Sequence, residues 1–255
     1  MIYEVGNECL EIENEFAYLG TTIKKRMLHF KETNKKTKNK IKLMKNKTII
    51  NVGKKIELKG DINKTDIYPI LNSSISKLLN NKSNVYIHSA VISKNYKGIL
   101  ILGDFNSGKT KLSYKAFENG FEINSADQTW IDIEDEKLYM KLGSKYLKYE
   151  DKEGFIDDKY LSKKINIIKI IILNGSCANG EYVENFIIKK EYKIKNLFRF
   201  CNWYSVIPLF TEFKYLYNND RNILDFLRMV CGLDMPISKV RGDNSKIINE
   251  IKKLV

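Results

Sequence analysis

The residues Gly103-Asp104-Phe105-Asn106-Ser107-Gly108-Lys109-Thr110 fit the pattern G-x-x-x-x-G-K-[ST]. An apolar run, Gly98 to Leu102, precedes them and a helix-like segment, Lys111 to Asn119, follows. A strand, a glycine loop and a helix in that order leave few architectures open, because the helix must start where the strand ends and both must pack into an α/β layer. The same order makes a phosphate cradle, with loop amides and the helix N-terminus offering partial positive charge to an anion. Gly103, Asn106, Ser107, Gly108, Lys109 and Thr110 are then the candidate phosphate contacts. Lys109 is expected to reach the β/γ oxygens of a nucleotide, and the Thr110 hydroxyl to hold Mg²⁺. The competing reading is a surface turn ahead of a helix.

A chain of 255 residues, 43% of them hydrophobic, can bury one good core with a smaller layer beside it. No apolar run approaches membrane length, and Met1 to Val5 lack a basic region followed by an apolar one. A soluble, cytoplasmic protein is therefore expected. Cys9, Cys177, Cys201 and Cys231 are far apart and form no C-x-x-C, so neither disulfides nor zinc are expected. The formal charge of +13 raises nucleic acid as a partner, but Lys, Asn and Ile are all abundant, as an AT-rich coding sequence would make them. The basic residues cluster from Lys24 to Lys64 with no aromatic between Lys31 and Lys59, so a base-stacking platform is not encoded there. A solvated hairpin or loop is the simpler reading of that cluster.

Residues 1–83 read as a β-rich N-terminal subdomain ending in a helix. Its short strands are Ile2 to Val5, Cys9 to Glu13, Ile41 to Met44, Thr48 to Val52 and Lys55 to Leu58, and its helix spans Ile67 to Asn80. From residue 84 strands and helices alternate. Strands are expected at Val85 to Ile92, Gly98 to Leu102 and Phe121 to Ile123, with a hairpin from Thr129 to Lys141 turning about Asp135-Glu136. The β-branched run Ile165 to Leu173 predicts a strand buried on both faces. Helices are expected at Lys195 to Tyr204, Glu212 to Cys231 and Ser245 to Leu254, and a closing strand at Ile237 to Val240. The acidic run Glu150-Asp151-Lys152-Glu153 with Asp157-Asp158 reads as a solvated loop, and as the place to look for a substitute acid or a lid. The aromatic residues from Phe198 to Tyr217 read as core between helices.

Residues 84–133 resemble the HPr kinase/phosphorylase family, in particular its serine-kinase branch. The resemblance rests on Ile87-His88-Ser89-Ala90 placed ahead of Gly103 at the family's interval, on the loop itself, and on Phe121-Glu122-Ile123-Asn124-Ser125-Ala126-Asp127 in the place of the family's strand and paired aspartates. Pro236 to Gly242 is similar to its closing strand. The N-terminal layout is similar to that of HPr-kinase-like enzymes of modified-peptide gene clusters, the lasso-peptide kinases among them. The family's Glu-Ile-Arg-Gly signature is absent, which makes HPr an improbable substrate.

The resemblance implies an α/β fold with a P-loop catalytic domain over residues 84–255, ATP and Mg²⁺ as cofactors, and transfer of the γ-phosphoryl group to a hydroxyl, as of serine in a peptide or small protein, or free serine. It makes Asp127 the base and a metal ligand beside Thr110. His88 assists on the phosphate side or steadies the base, and Lys109 completes the catalytic set. Arg241 is the candidate contact for a phosphate or substrate carboxylate, while Arg221, Arg228, Arg26 and Arg199 are assigned to helix salt bridges. Asp104 takes a structural turn role. Ala126 stands where family members carry an aspartate. A single-carboxylate kinase, a site helped by another acid, and a catalytically retired nucleotide-binding regulatory or scaffold protein all remain open. So, behind them, does a nucleic-acid-binding ATPase. Neither a nucleic acid nor a membrane is the expected partner, and oligomeric state stays open.

Overall fold

Alternation builds the N-terminal layer. In the strand Lys40–Met44, Ile41 and Leu43 are buried while Lys42 faces solvent, and in Lys47–Val52 the buried set is Thr48, Ile50 and Val52. A computed structural model describes residues 1–16, 19, 23, 31–59, 61, 64–149, 152–176, 184–201 and 220–255. Over the first part of the chain it shows β1 (Ile2–Val5), β2 (Glu8–Asn14), β3 (Lys31–Glu32), β4 (Lys40–Met44), β5 (Lys47–Val52) and β6 (Lys54–Lys59). They form one sheet in the order β3-β1-β2-β4-β5-β6, antiparallel except for β2 with β4. Helix α1 (Lys64–Leu79) lays Ile67, Ile70, Leu71, Ile75 and Leu79 into the same apolar cluster, which also takes in Tyr86, Trp130 and Leu142 of the following layer.

The lysine cluster takes the expected solvated hairpin or loop form: Lys35, Lys36 and Lys38 lie exposed between β3 and β4, and β4–β5 and β5–β6 are antiparallel hairpins. Three lysines on these strands meet glutamates of neighbouring strands: Lys40 meets Glu11 at 3.4 Å, Lys42 meets Glu13 at 3.6 Å and Lys47 meets Glu57 at 2.7 Å. Their charge is thus partly cancelled within the sheet. Residues 24–30 lie outside the described residues.

The second layer comprises β7 (Asn84–Lys94), β8 (Lys97–Gly103), α2 (Lys109–Glu118), β9 (Glu122–Ser125), β10 (Gln128–Glu134), β11 (Lys137–Gly143), β12 (Tyr146–Tyr149), β13 (Lys152–Phe155), α3 (Asp158–Leu161), β14 (Ile165–Ser176), β15 (Glu184–Ile187), α4 (Lys190–Cys201), α5 (Asp220–Gly232), β16 (Ile237–Gly242) and α6 (Asn244–Lys252). Its sheet runs β11-β10-β7-β8-β14-β16-β15, with β9 added to β7. A further pairing of β11 with the start of β14 closes five of these strands into a ring. The fold is mixed α/β.

Strand β14 carries the predicted two-faced burial. Ile170 and Ile172 point into the cluster covered by α4 and α5, and Ile171 and Leu173 into the one covered by α2 and α6. Each such side chain contributes roughly 1.5–3 kcal/mol of burial, so the three parallel strands β8, β14 and β16 make a rigid platform. Gly103, Leu173 and Val240 lie in register across it, which puts the glycine loop and Arg241 at the same carboxyl edge. Ligands bind at that edge in open α/β sheets.

Several boundaries move. Helix α4 begins five residues earlier than expected, since Lys190 to Lys193 are good helix formers, and residues 202–219 lie outside the described residues. They hold the predicted end of that helix, the start of the Glu212 helix and most of the aromatic cluster. Phe200 is buried and Phe198 partly so, as expected. Of the predicted acidic loop, Lys152 and Glu153 stand instead on β13, paired with β12, and Asp157 caps α3 by accepting from the Lys159 amide at 3.1 Å. Cys9, Cys201 and Cys231 are free thiols. Among the described residues no helix is long and apolar enough to cross a membrane.

Candidate functional site

The glycine loop connects β8 to α2, and its shape follows from close approach. A Cβ at Gly103 would stand 2.2 Å from Ser107 Oγ, so only glycine lets the loop fold back over the strand end. Asn106 and Gly108 adopt positive φ of 59° and 97°, turning the chain into the helix, and the Ser107 amide donates to Asp104 O at 3.2 Å. Gly108 caps α2 without any side-chain hydrogen bond, which leaves the helix N-terminus open. Ser107 Oγ is buried and has no hydrogen-bond partner. An uncapped helix start, an orphaned hydroxyl and a buried ammonium around one glycine cradle fit a phosphate group.

That ammonium is Lys109. Its Nζ donates to Gly103 O at 2.9 Å and Asp104 O at 3.2 Å, and lies 2.9 Å from His88 Nε2. A lysine has three N–H bonds and no acceptor, so Nε2 must accept and the neutral imidazole carries its hydrogen on Nδ1. Nδ1 faces Asp127 Oδ1 at 3.4 Å. Burial holds the His88 pKa below its usual value; the Asp127 carboxylate opposes that shift and the Lys109 ammonium reinforces it. Burial likewise lowers the Lys109 pKa, with Asp127 and Asp104 pulling the other way. His88 is 1% exposed, whereas the Asp127 side chain is 40% exposed at the mouth.

The expected His88, Lys109 and Asp127 therefore meet. The register of β7 with β10 sets Gln128 opposite His88, so Asp127 arrives beside the imidazole by strand pairing. Thr110 occupies the first turn of α2. Among the described residues no group of three His, Cys, Asp or Glu could hold a metal; Thr110 and Asp127 are the oxygen-bearing residues of the expected site that could contribute to one. The carboxylates expected to offer a substitute acid are engaged elsewhere: Asp158 pairs with Lys145 at 2.6 Å, Glu153 accepts from Tyr146, and Asp157 caps α3. Glu150 and Asp151 lie outside the described residues.

Three contributors escape sequence reasoning. Tyr68, on α1, donates its hydroxyl to Asp127 Oδ2 at 3.2 Å and meets the Gln128 amide, which joins Tyr86 and Asn72 in one buried network. Ser144 Oγ accepts from the amides of Asp127 at 2.8 Å and Gln128 at 2.9 Å, fixing the turn that carries the acid. Arg199, on α4, pairs with the Asp104 carboxylate at 2.8 Å. The assignment of Arg199 to a helix salt bridge is thus corrected, because its guanidinium reaches back 95 residues to the loop. Arg228 does pair with Asp225 along its helix, at 2.8 Å. Arg241 is exposed at the end of β16, in register with Glu184 of β15 and two strands from Gly103.

Ala126 is 3% exposed and belongs to an apolar cluster with Ile123, Leu147, Ile156 and Leu161. The position that would carry a second acid is packed among hydrocarbon.

No family model matches the chain, and no curated protein matches it. Among solved structures, the Hpr(Ser) kinase/phosphatase from Coxiella burnetii aligns over 66% of this chain and 92% of that one, at 12% identity and a TM-score of 0.36.

Proposed function

We propose that the chain is an ATP- and Mg²⁺-dependent kinase that transfers the γ-phosphoryl group to a hydroxyl, that of serine in a peptide or small protein. The observation that carries this reading is the line from Lys109 Nζ through His88 to Asp127, spanning 2.9 Å and 3.4 Å. It sets one carboxylate a single imidazole away from the cation that meets the terminal phosphates. Residues 84–255 act as the catalytic domain in this reading. Residues 1–83 form a subdomain that supports Asp127 through Tyr68.

The roles follow from chemistry. Loop amides, Ser107 Oγ and the start of α2 bind the phosphate oxygens, and Lys109 neutralises the charge that gathers between the β- and γ-groups. Thr110 and Asp127 would hold Mg²⁺, which supplies further charge neutralisation. Asp127 orients the acceptor hydroxyl and takes its proton as the new P–O bond forms and the bond to the β-phosphate oxygen breaks, releasing ADP. His88, neutral and held by Lys109 at Nε2, keeps its Nδ1 beside the carboxylate at 3.4 Å. Arg241, at the same sheet edge, takes the acceptor's carboxylate or a phosphate.

The test is incubation of the full chain with γ-labelled ATP·Mg²⁺ and either free serine or serine-bearing peptides, including small peptides encoded beside its gene. Label is expected on serine, and Lys109→Ala is expected to abolish both transfer and nucleotide binding. Tight ATP binding with no transfer to any of these acceptors refutes the kinase. It would favour the second reading, a nucleotide-binding regulatory or scaffold protein, for which the apolar packing of Ala126 is the specific support.

A further inference from the structure

The Asp104 carboxylate is out of place in a phosphate cradle. It sits in the glycine loop, its backbone oxygen holds Lys109, and its negative charge is felt at both Lys109 and His88, where it favours protonation. A triphosphate arriving at those same groups meets a fixed like charge, which electrostatics disfavours. The Arg199 guanidinium answers it at 2.8 Å, lying also over the Phe200 ring with 4.6 Å to the centroid. Both partners are open to solvent, 55% for Arg199 and 53% for Asp104. A pair so exposed adds little to stability, so stability does not account for an arginine held at the loop from 95 residues away in a chain where only five of 44 basic residues are arginine.

We infer that Arg199 is a positioning residue of the phosphate site: it neutralises Asp104, so that the loop can accept a polyphosphate while the Asp104 carbonyl keeps its hold on Lys109. The role rests on the phosphate-binding reading above. Arginine suits it because its charge persists at every accessible pH and its planar fork meets a carboxylate in a fixed geometry. Stacking on the buried Phe200 anchors the guanidinium and limits its search for other partners.

Titration calorimetry of MgATP into the full chain decides the matter with four proteins: the parent, Arg199→Ala, Asp104→Asn, and the double variant. Arg199→Ala is expected to weaken binding on the order of tenfold in 0.05 M salt, with the gap shrinking severalfold in 0.5 M salt as screening takes over. The double variant is expected to return to within about threefold of the parent, because the charge that Arg199 offsets has gone. Asp104→Asn alone is expected to bind at least as tightly as the parent. A double variant as weak as Arg199→Ala overturns the proposal, since the guanidinium would then act on the nucleotide itself. So does an Arg199→Ala protein that binds like the parent, or an Asp104→Asn protein that binds tenfold worse. Should Arg199→Ala fail to fold, as thermal melting would show, Asp104→Asn still decides by its sign. No heat from the parent strikes the phosphate-binding reading; a binding parent with an indifferent Arg199 strikes this role alone.

Discussion

Replacing Ala126 by Asp asks whether this chain has lost a catalyst's second acid or never had room for one. Ala126 is buried in a cluster with Ile123, Leu147, Ile156 and Leu161, none of which offers a side-chain donor, and Tyr114 and Tyr160 pack at its edge. An ionised carboxyl there would be desolvated and set beside Asp127, so it should stay protonated in the folded state. Holding an acid neutral at pH 7 against an unfolded value near 3.9 costs about 1.4 kcal/mol for each of the ~3 intervening units, or roughly 4 kcal/mol. Overpacking adds about 1–3 kcal/mol. For a chain of this size each kcal/mol lowers Tm by about 2–4 °C, so the Ala126→Asp chain should melt at least ~10 °C below the parent.

The sign of the pH dependence identifies the cause. The folded-state pKa of the new carboxyl is raised, so the unfolded chain releases a proton that the folded chain keeps. Its destabilisation is therefore full at neutral pH and shrinks as the pH falls towards ~4, by about 1.4 kcal/mol per unit. Melting of both chains by circular dichroism at pH 4.5, 6 and 7.5, with ADP release measured at pH 7.5, reads this directly. A variant that melts with the parent at pH 7.5 and gains phosphoryl transfer refutes the reasoning: the carboxyl would have found the metal, and the retired-catalyst reading would stand.

Tyr68→Phe removes the donor to Asp127 Oδ2 and should lower kcat about tenfold or more while leaving the KM for ATP nearly unchanged, a split that steady-state kinetics separates. His88 titrates below its ordinary 6.5 in the fold, so the unfolded chain binds the extra proton. Stability should accordingly fall as the pH drops below ~6.5, by up to about 1.4 kcal/mol per unit until the folded value is reached, and urea unfolding of His88→Gln should lose that slope. A Cβ at Gly143 would meet Asn124 O at 2.1 Å and Ser125 Cβ at 2.8 Å, so Gly143→Ala should cost about 3 kcal/mol in denaturant unfolding. Gly154→Ala, with open space at that point, should change stability by no more than ~1 kcal/mol in the same assay.

Where a sequence signal is local, it survives in the structure. Helix α2 runs from Lys109 to Glu118, within two residues of the helical pattern read at Lys111 to Asn119, because Gly108 and Asn119 bound it, and β14 follows from its run of isoleucines. The turn at Asp135-Glu136 is legible because both residues take positive φ between two alternating strands. The β12–β13 hairpin is hidden by its charges, since Lys148, Lys152 and Glu153 leave no apolar alternation to detect. Other features depend on distance along the chain. Tyr68 looks like one more residue on an amphipathic helix, and only packing of α1 against β7 brings its hydroxyl to Asp127. Arg199 reaches Asp104 across 95 residues, and the hydrocarbon around Ala126 comes from three separate stretches of chain.

The physical sufficiency of one carboxylate turns on what holds it. Asp127 accepts a neutral hydroxyl from Tyr68 on Oδ2 and faces the neutral His88 ring with Oδ1, 3.4 Å from Nδ1, and no lysine or arginine contacts it directly among the described ion pairs. One neutral donor and one neutral ring orient a carboxylate while leaving it lone pairs for a substrate hydroxyl or a cation, which a bidentate arginine would consume. Lys109 stands one ring further on, charged and saturated with acceptors, so the nearest full positive charge acts on Asp127 through His88 rather than by contact. Orientation without neutralisation is what an acid needs if it must both aim an acceptor hydroxyl and share a metal ion. Because the hydroxyl that Asp127 accepts from belongs to α1, the residues before position 84 contribute to the geometry of the acid as directly as the turn that bears it.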